Sequence, residues 1–293
     1  MWSPIFKLGQ VLKGKSSSYK ITKQVQQTVW FAKNLKTDDP VVIKSVQNHF
    51  RVENERDVLR RFQDRTRYLR PMVDEIKEPL EPATIVLKYL DDDLRHASDT
   101  KKLNRKELKY VSKRILEALS TLHEDGFVHT DVKLNNVLVN YVSPNDDKVD
   151  IRFTDVELAD VGSTYPAGHK YAKEGVPIGA PVWRSSEVIL GLPWNTSTDI
   201  WSFGICLIRL IYGGDFDIMT PRGVTFDDEG YDVHILMQHF KYFGPFLPSL
   251  VSASEVSRED RDFICKIMKL DPRDRPMAKE LLQDRWFEEY SER

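Results

Sequence analysis

Two cysteines in 293 residues are too few for a disulfide framework. Cys206 and Cys265 both stand in apolar helical contexts, so both are expected to be buried structural thiols in a reducing compartment. Neither sign of charge is in excess: 43 Lys and Arg against 45 Asp and Glu leave a net charge of -2. That balance excludes a general nucleic-acid surface, which concentrates Lys and Arg, and no direct nucleic-acid partner is expected. No apolar run is long enough for a bilayer. The most apolar segment, residues 200–212, is short and carries Arg209, which makes it a core helix, and no membrane partner is expected. The first residues, Met1-Trp2-Ser3-Pro4-Ile5-Phe6, lack the basic and apolar regions of a secretory signal, so an intracellular location, cytoplasmic or nuclear or both, is expected. Repeats and low-complexity tracts are absent as well.

The chain does have a change of regime along its length. Residues 11–12, 19–25, 29–32, 41–46 and 84–87 are β-rich runs separated by Gly, Ser, Asp or Pro. Only residues 54–62 interrupt them, placing Val58, Leu59 and Phe62 on one face of an amphipathic helix. After Asp91-Asp92-Asp93 the pattern turns helical, at residues 106–124, 199–212, 232–243, 258–268 and 278–286. An α+β fold follows, with a small β-rich lobe over residues 1–87, a short hinge at 88–91 and a larger, mainly helical lobe over 92–293. Asn145-Asp146-Asp147-Lys148 reads as a solvated hairpin turn rather than a metal site.

The window His129-Thr130-Asp131-Val132-Lys133-Leu134-Asn135-Asn136 falls between an apolar helical run and the strand-like Val137-Leu138-Val139. It sets a carboxylate, an ammonium and a carboxamide at offsets that phosphoryl transfer can use. Asp131 is a weak base at neutral pH, given an ordinary carboxylate pKa of about 3.9. A loose transition state asks no more of it than to orient a hydroxyl and accept its proton late. Lys133 can offset charge on the transferred oxygens, and the Asn136 carbonyl suits a hard cation. A cation needs a second oxygen ligand. Asp160-Val161-Gly162, after the strand-like residues 151–159, supplies it, since Gly162 lets the chain turn away sharply. Asp155 is the rival, without a glycine at the needed offset.

Together, HTDVKLNN and LADVG resemble the catalytic loop and the Asp-Phe-Gly motif of eukaryotic protein kinases, and the resemblance extends over nearly the whole chain. It implies a bilobal kinase fold, ATP and Mg²⁺ as cofactors, and a protein substrate whose Ser or Thr hydroxyl is phosphorylated. Val41-Val42-Ile43-Lys44 is similar to the family's V-A-I-K strand, which makes Lys44 the expected contact to the phosphates. Glu55 is the expected partner of Lys44, at a separation short for the family, with Glu53 as the lesser alternative. Gly14-Lys15-Ser16-Ser17-Ser18-Tyr19-Lys20-Ile21 fits the register of the glycine-rich loop, with Ser16 and Tyr19 in place of two glycines. On the same resemblance Leu87 is the gatekeeper, and the main chain of Lys88-Tyr89-Leu90 reads adenine. Leu138, with Ile21 or Val42, would sandwich the ring. Glu187, in the segment from Gly179 that resembles one ending in A-P-E, should pair with Arg275.

Departures from the family pattern carry expectations too. Thr130 replaces the arginine that in many kinases docks a phosphorylated activation loop, so activity is expected not to depend strongly on such a phosphate. Lys133 points to Ser/Thr specificity, whereas Ala180 stands where Ser/Thr members commonly carry threonine. The run Trp183-Arg184-Ser185-Ser186-Glu187-Val188-Ile189-Leu190-Gly191 resembles the branch that includes the SR-protein, dual-specificity tyrosine-regulated and cyclin-dependent kinases, although residues 243–258 leave little room for that branch's insert; taken together, the features resemble fungal SR-protein-kinase-like proteins. A scaffold that binds nucleotide or a protein partner without turnover is the alternative function. The sequence sets no oligomeric state and is compatible with a monomer.

Overall fold

Period-two burial in the first ninety residues closes a barrel. In the computed structural model, which describes residues 5–47, 50–143, 150–214, 216–244 and 257–288, six strands come first. These are β1 (Val11–Gly14), β2 (Ser18–Gln26), β3 (Val29–Asn34), β4 (Pro40–Ser45), β5 (Met72–Glu78) and β6 (Thr84–Lys88). They join in the order β1-β2-β3-β4-β6-β5, each pair antiparallel. Leu12, Tyr19, Ile21, Trp30, Ile43 and Val86 fill the interior. Closure removes the open edges on which other chains could pair.

β5 has no counterpart among the sequence expectations. Its run Met72-Val73-Asp74-Glu75-Ile76-Lys77-Glu78 is mostly charged, and only Asp74 and Ile76 are buried. Propensity alone disfavours such a strand, and pairing with β1 and β6 decides it. Across the barrel lies α1 (Arg51–Phe62), which buries Val52, Glu55, Val58, Leu59 and Phe62 as one stripe. A carboxylate in that stripe marks the site.

The second lobe begins with β7 (Asp92–Asp93), α2 (Leu94–Thr100) and α3 (Arg105–His123). α3 opens with a capping box in which Asn104 and Glu107 satisfy each other's backbone N–H groups. Then follow β8 (Phe127–Val128), β9 (Val137–Tyr141), β10 (Phe153–Leu158), β11 (Tyr165–Pro166), α4 (Lys170–Lys173) and α5 (Ser186–Ile189). The last elements are α6 (Ser197–Tyr212), α7 (Tyr231–Phe243), α8 (Arg258–Ile267) and α9 (Ala278–Leu281). β9 lies between β10 and β7, and β11 pairs with β8. α6 is the buried core helix that its composition predicted, and Arg209 within it pairs with Asp217 at 3.1 Å. No described helix is long and apolar enough to cross a membrane.

Two expectations need correction here. Cys206 is buried, but Cys265 is exposed. On α8 the buried face is Phe263, Ile264 and Ile267, and Cys265 points away from it. The helix expected over residues 278–286 stops at Leu281, and Arg285–Phe287 form a separate 3-10 turn. The Asp284 carboxylate accepts from the Trp286 N–H and caps that turn anew. The expected hairpin at 145–148, and most of the 243–258 stretch, lie outside the described residues.

Candidate active site

The catalytic window hangs between β8 and β9, and a single carboxylate from α6 shapes it. Asp199 accepts from the backbone N–H of His129 at 2.7 Å, from that of Thr130 at 2.9 Å, and from His123 Nε2 at 2.9 Å. His129 Nε2 lies 3.1 Å from the Ala159 carbonyl while its Nδ1 accepts from the Asp131 N–H at 3.3 Å, an arrangement that fits the neutral Nε2–H tautomer. Thr130 takes a backbone φ of 74°. That unusual conformation delivers Asp131 into the network with Lys133 and Asn136. Lys133 Nζ sits 2.8 Å from Asp131 Oδ2, and Asn136 Nδ2 donates to both the Asp131 carbonyl (2.9 Å) and Oδ2 (3.0 Å).

Opposite them, β4 supplies Lys44. Its Nζ lies 2.6 Å from Glu55 Oε2 and 2.6 Å from Asp160 Oδ1. Burial opposes the Lys44 charge, but Glu55 and Asp160 outweigh it and hold its pKa above the ordinary value. Burial likewise raises the Glu55 carboxyl. For Asp160 burial is again the largest influence, yet Lys44 and Arg51 overcome it and leave the carboxyl below its usual range. Glu55 is therefore the partner and Glu53, exposed, is not.

Lys44, Glu55, Asn136 and Asp160 all line one cleft of about 450 Å³, with Val42, Leu87 and Leu138 as apolar walls. Asn136 commits its amide nitrogen to Asp131, which leaves Oδ1 as its available ligand. That oxygen and Asp160 Oδ2 are a neutral and an anionic hard donor of the kind that would hold Mg²⁺. The rival, Asp155, accepts instead from Lys88 Nζ and Asn140, both at 3.1 Å, and lines a separate cavity of about 360 Å³.

Five expected nucleotide contacts do not line the cleft: Gly14, Ser16, Ile21, Lys88 and Leu90. Gly14 and Ser16 belong to the β1–β2 turn, where Asp74 accepts from the N–H groups of Lys15, Ser16 and Ser17 and from the Tyr19 hydroxyl. A Cβ on Gly14 would stand 2.3 Å from Asp74 Oδ2, so this glycine serves a packed turn, not phosphate access. Ile21 points into the barrel. Lys88 turns its ammonium to Glu157 at 2.5 Å, and Leu90 is buried. The hairpin facing the cleft is instead β2–β3, through Gln26, Thr28 and Val29. Counting back from Val29 as the valine of G-x-G-x-x-G-x-V puts Thr22, Gln24 and Gln27 at the three glycine positions. A run with no glycine gave sequence reading nothing to find, but Val29-Trp30-Phe31-Ala32 ahead of Val41-Val42-Ile43-Lys44 was a usable marker of the register.

The activation segment is held by direct contacts. Asn54 of α1 donates to the carbonyls of Gly162 (3.1 Å) and Thr164 (3.0 Å). The Thr130 hydroxyl donates to the Ser163 carbonyl at 2.7 Å. Farther along, Val128, Ala172, Val188 and Trp194 form a small core with Tyr165, Tyr171 and Ile178 against it. Trp194 Nε1 donates to the Val176 carbonyl at 2.9 Å. At the segment's end Glu187 and Arg275 pair through two bonds, at 2.7 and 2.8 Å, and the guanidinium lies 5.0 Å from the Trp201 ring centre.

A strand lysine held by a helix carboxylate, across a cleft from an Asp-Lys-Asn loop, is the arrangement of a bilobal protein-kinase fold. The protein kinase domain family profile matches residues 7–287, and the chain belongs to that family. It is similar to a probable serine/threonine-protein kinase mkcD of Dictyostelium discoideum, 30% identical over 65% of this chain and 26% of that protein. It is also similar to serine/threonine-protein kinase dst1 of the same organism, at 29% identity over 70% of this chain and 25% of the relative. The serine/threonine-protein kinase PAK mbt of Drosophila melanogaster is 28% identical over 68% of this chain and 27% of its own length. The aligned part thus spans about a quarter of these relatives. None of the three is an SR-protein kinase, so the expected SR-protein-kinase affinity lacks support, whereas the serine/threonine kinase resemblance stands.

Proposed function

We propose that this chain is an ATP-dependent, Mg²⁺-requiring kinase of protein serine and threonine hydroxyls. The carrying observation is Lys44 Nζ held 2.6 Å from both Glu55 and Asp160 in the cleft that Asn136 also lines. Lys44, oriented by Glu55, would fix the α- and β-phosphates between the two lobes, residues 1–87 and 92–293, joined at 88–91. Val29 and Val42 on one side and Leu138 on the other would enclose the base, with Leu87 at the back. Asn136 and Asp160 would hold Mg²⁺, whose charge neutralises that developing on the transferred phosphoryl. Asp131 orients the substrate hydroxyl. As the hydroxyl oxygen bonds to the γ-phosphorus, the bond from that phosphorus to the bridging oxygen breaks, its electron pair leaves with ADP, and Asp131 takes the proton. Lys133 offsets charge on the equatorial oxygens.

A scaffold without turnover is the reading that the glycine-free β2–β3 hairpin favours. Against it, every charged group of the chemistry is present, Lys44 paired with Glu55 and Asp160 and Lys133 paired with Asp131, and backbone N–H groups of a hairpin can meet phosphate whatever the side chain. Phosphate transfer from radiolabelled ATP to a peptide array, with Mg²⁺, separates the two. Native protein is expected to turn over within the kinase range of about 1 to 100 per second on its best peptide. Asp131→Asn and Lys44→Met are expected to lose transfer while remaining folded. Equal signals from all three proteins would sink the enzyme reading.

A further inference from the structure

Arginine is a costly side chain in a pocket for a flat, uncharged base, and Arg70 lines the same cleft as Val42, Leu87 and Leu138. Two bonds fix it. Its backbone N–H donates to the Leu158 carbonyl at 2.9 Å, and its Nε donates to the Lys88 carbonyl at 2.8 Å. Burial pulls its pKa down to about 10, with Glu55, Glu157 and Asp160 acting the other way, so the group is still charged at neutral pH. Nη1 and Nη2 make no hydrogen bond or ion pair with any described residue. The interior of the cleft therefore contains open, charged donors.

Those donors bear on which base fits. The Lys88 carbonyl, at the start of the hinge and outside the cleft lining, receives Arg70 Nε and so anchors the guanidinium at the hinge end of the cleft. The edge of adenine bearing N7 also carries the 6-amino donor, which meets a guanidinium donor to donor. Guanine presents two acceptors on the same edge, O6 and N7, and these match a guanidinium fork. We propose that Arg70 is a base-specificity residue that admits guanine to this cleft, so that GTP serves as a phosphoryl donor alongside ATP. The proposal rests on the nucleotide-site reading above and adds to it the identity of the base.

Equilibrium binding of Mg²⁺-ADP and Mg²⁺-GDP, by displacement of a fluorescent nucleotide, tests this without turnover. For the native chain the two dissociation constants are expected to agree within about tenfold. In Arg70→Val and Arg70→Gln, each checked for folding by thermal unfolding, GDP is expected to weaken relative to ADP by about 5- to 100-fold, the greater loss falling on valine. The ratio of kcat/KM for GTP and ATP should move in parallel. An arginine with a purely structural role would move both nucleotides together and leave the ratio unchanged, which overturns the proposal. So does a native chain that prefers ADP by about 100-fold or more, a result that requires no variant. Tight ADP binding with such a preference leaves the nucleotide site intact and removes only the guanine inference. Failure to bind either nucleotide removes both.

Discussion

Replacing Thr130 by valine isolates what holds the activation segment in place. The native residue pays for its left-handed backbone, φ 74°, through two contacts: its N–H to Asp199 at 2.9 Å and its hydroxyl to the Ser163 carbonyl at 2.7 Å. Valine keeps the branched Cβ, so backbone strain, of order 1 to 3 kcal/mol in either protein, cancels in the comparison. The Asp199 contact is made by the main chain and survives. Only the hydroxyl is lost, and the Ser163 carbonyl is left without that donor in a place where Thr130 is 6% exposed. A buried acceptor orphaned in this way costs about 1 to 3 kcal/mol, or roughly 5- to 150-fold in the docking of the segment. Thr130→Ser is the control, since it keeps the donor and loses one methyl, worth about 0.8 kcal/mol. Phosphatase-treated native, Ser and Val proteins should be compared by urea unfolding and by kcat/KM on one peptide. Native and Ser are expected to stay close, with Val below both in stability or rate. A valine protein equal to native, together with native activity that vanishes on phosphatase treatment, would refute the argument that packing replaces the phosphate.

Three further outcomes follow from single contacts. Glu187→Gln removes the charge partner of a fully buried guanidinium, and urea unfolding should register a loss of about 3 to 5 kcal/mol; a loss below about 1 kcal/mol would mean that the neighbouring carbonyls alone satisfy Arg275. Asp74→Asn should destabilise the barrel at neutral pH and flatten the acid side of the stability profile. Burial raises the Asp74 carboxyl, but hydrogen bonds from Ser16, Glu75 and Tyr19 outweigh it, so its folded pKa is depressed. The stabilisation it gives is complete above the unfolded value of about 3.9 and is lost as pH falls through the folded one. Unchanged acid dependence in the variant would place the titration elsewhere. Gly14→Ala should cost stability without changing nucleotide affinity, because its Cβ meets Asp74 and not the cleft; a shift in the dissociation constant of ADP would return that turn to the nucleotide site.

The sequence alone determined the groups of the proposed site and most of the architecture. Asp131, Lys133, Asn136, Asp160, Lys44 and Glu55 were all legible as candidates, because polar and charged groups proposed to act together stand at motif spacings that chance seldom produces. The helices whose apolar faces repeat regularly were legible for the same kind of reason, and so were five of the six barrel strands. What periodicity does not encode was settled only in three dimensions. β5 is a strand because β1 and β6 flank it, despite its charges. Two hairpins competed for the role of phosphate cover, and the one that has a glycine uses it to approach Asp74. Only barrel closure shows that the other, with none, faces the cleft. Asp199 and Asn54 gained their meaning through partners 70 and 108 residues away, and Arg70 through a cavity. Local sequence sets which groups exist and which face they occupy, whereas long-range closure decides which of them meet.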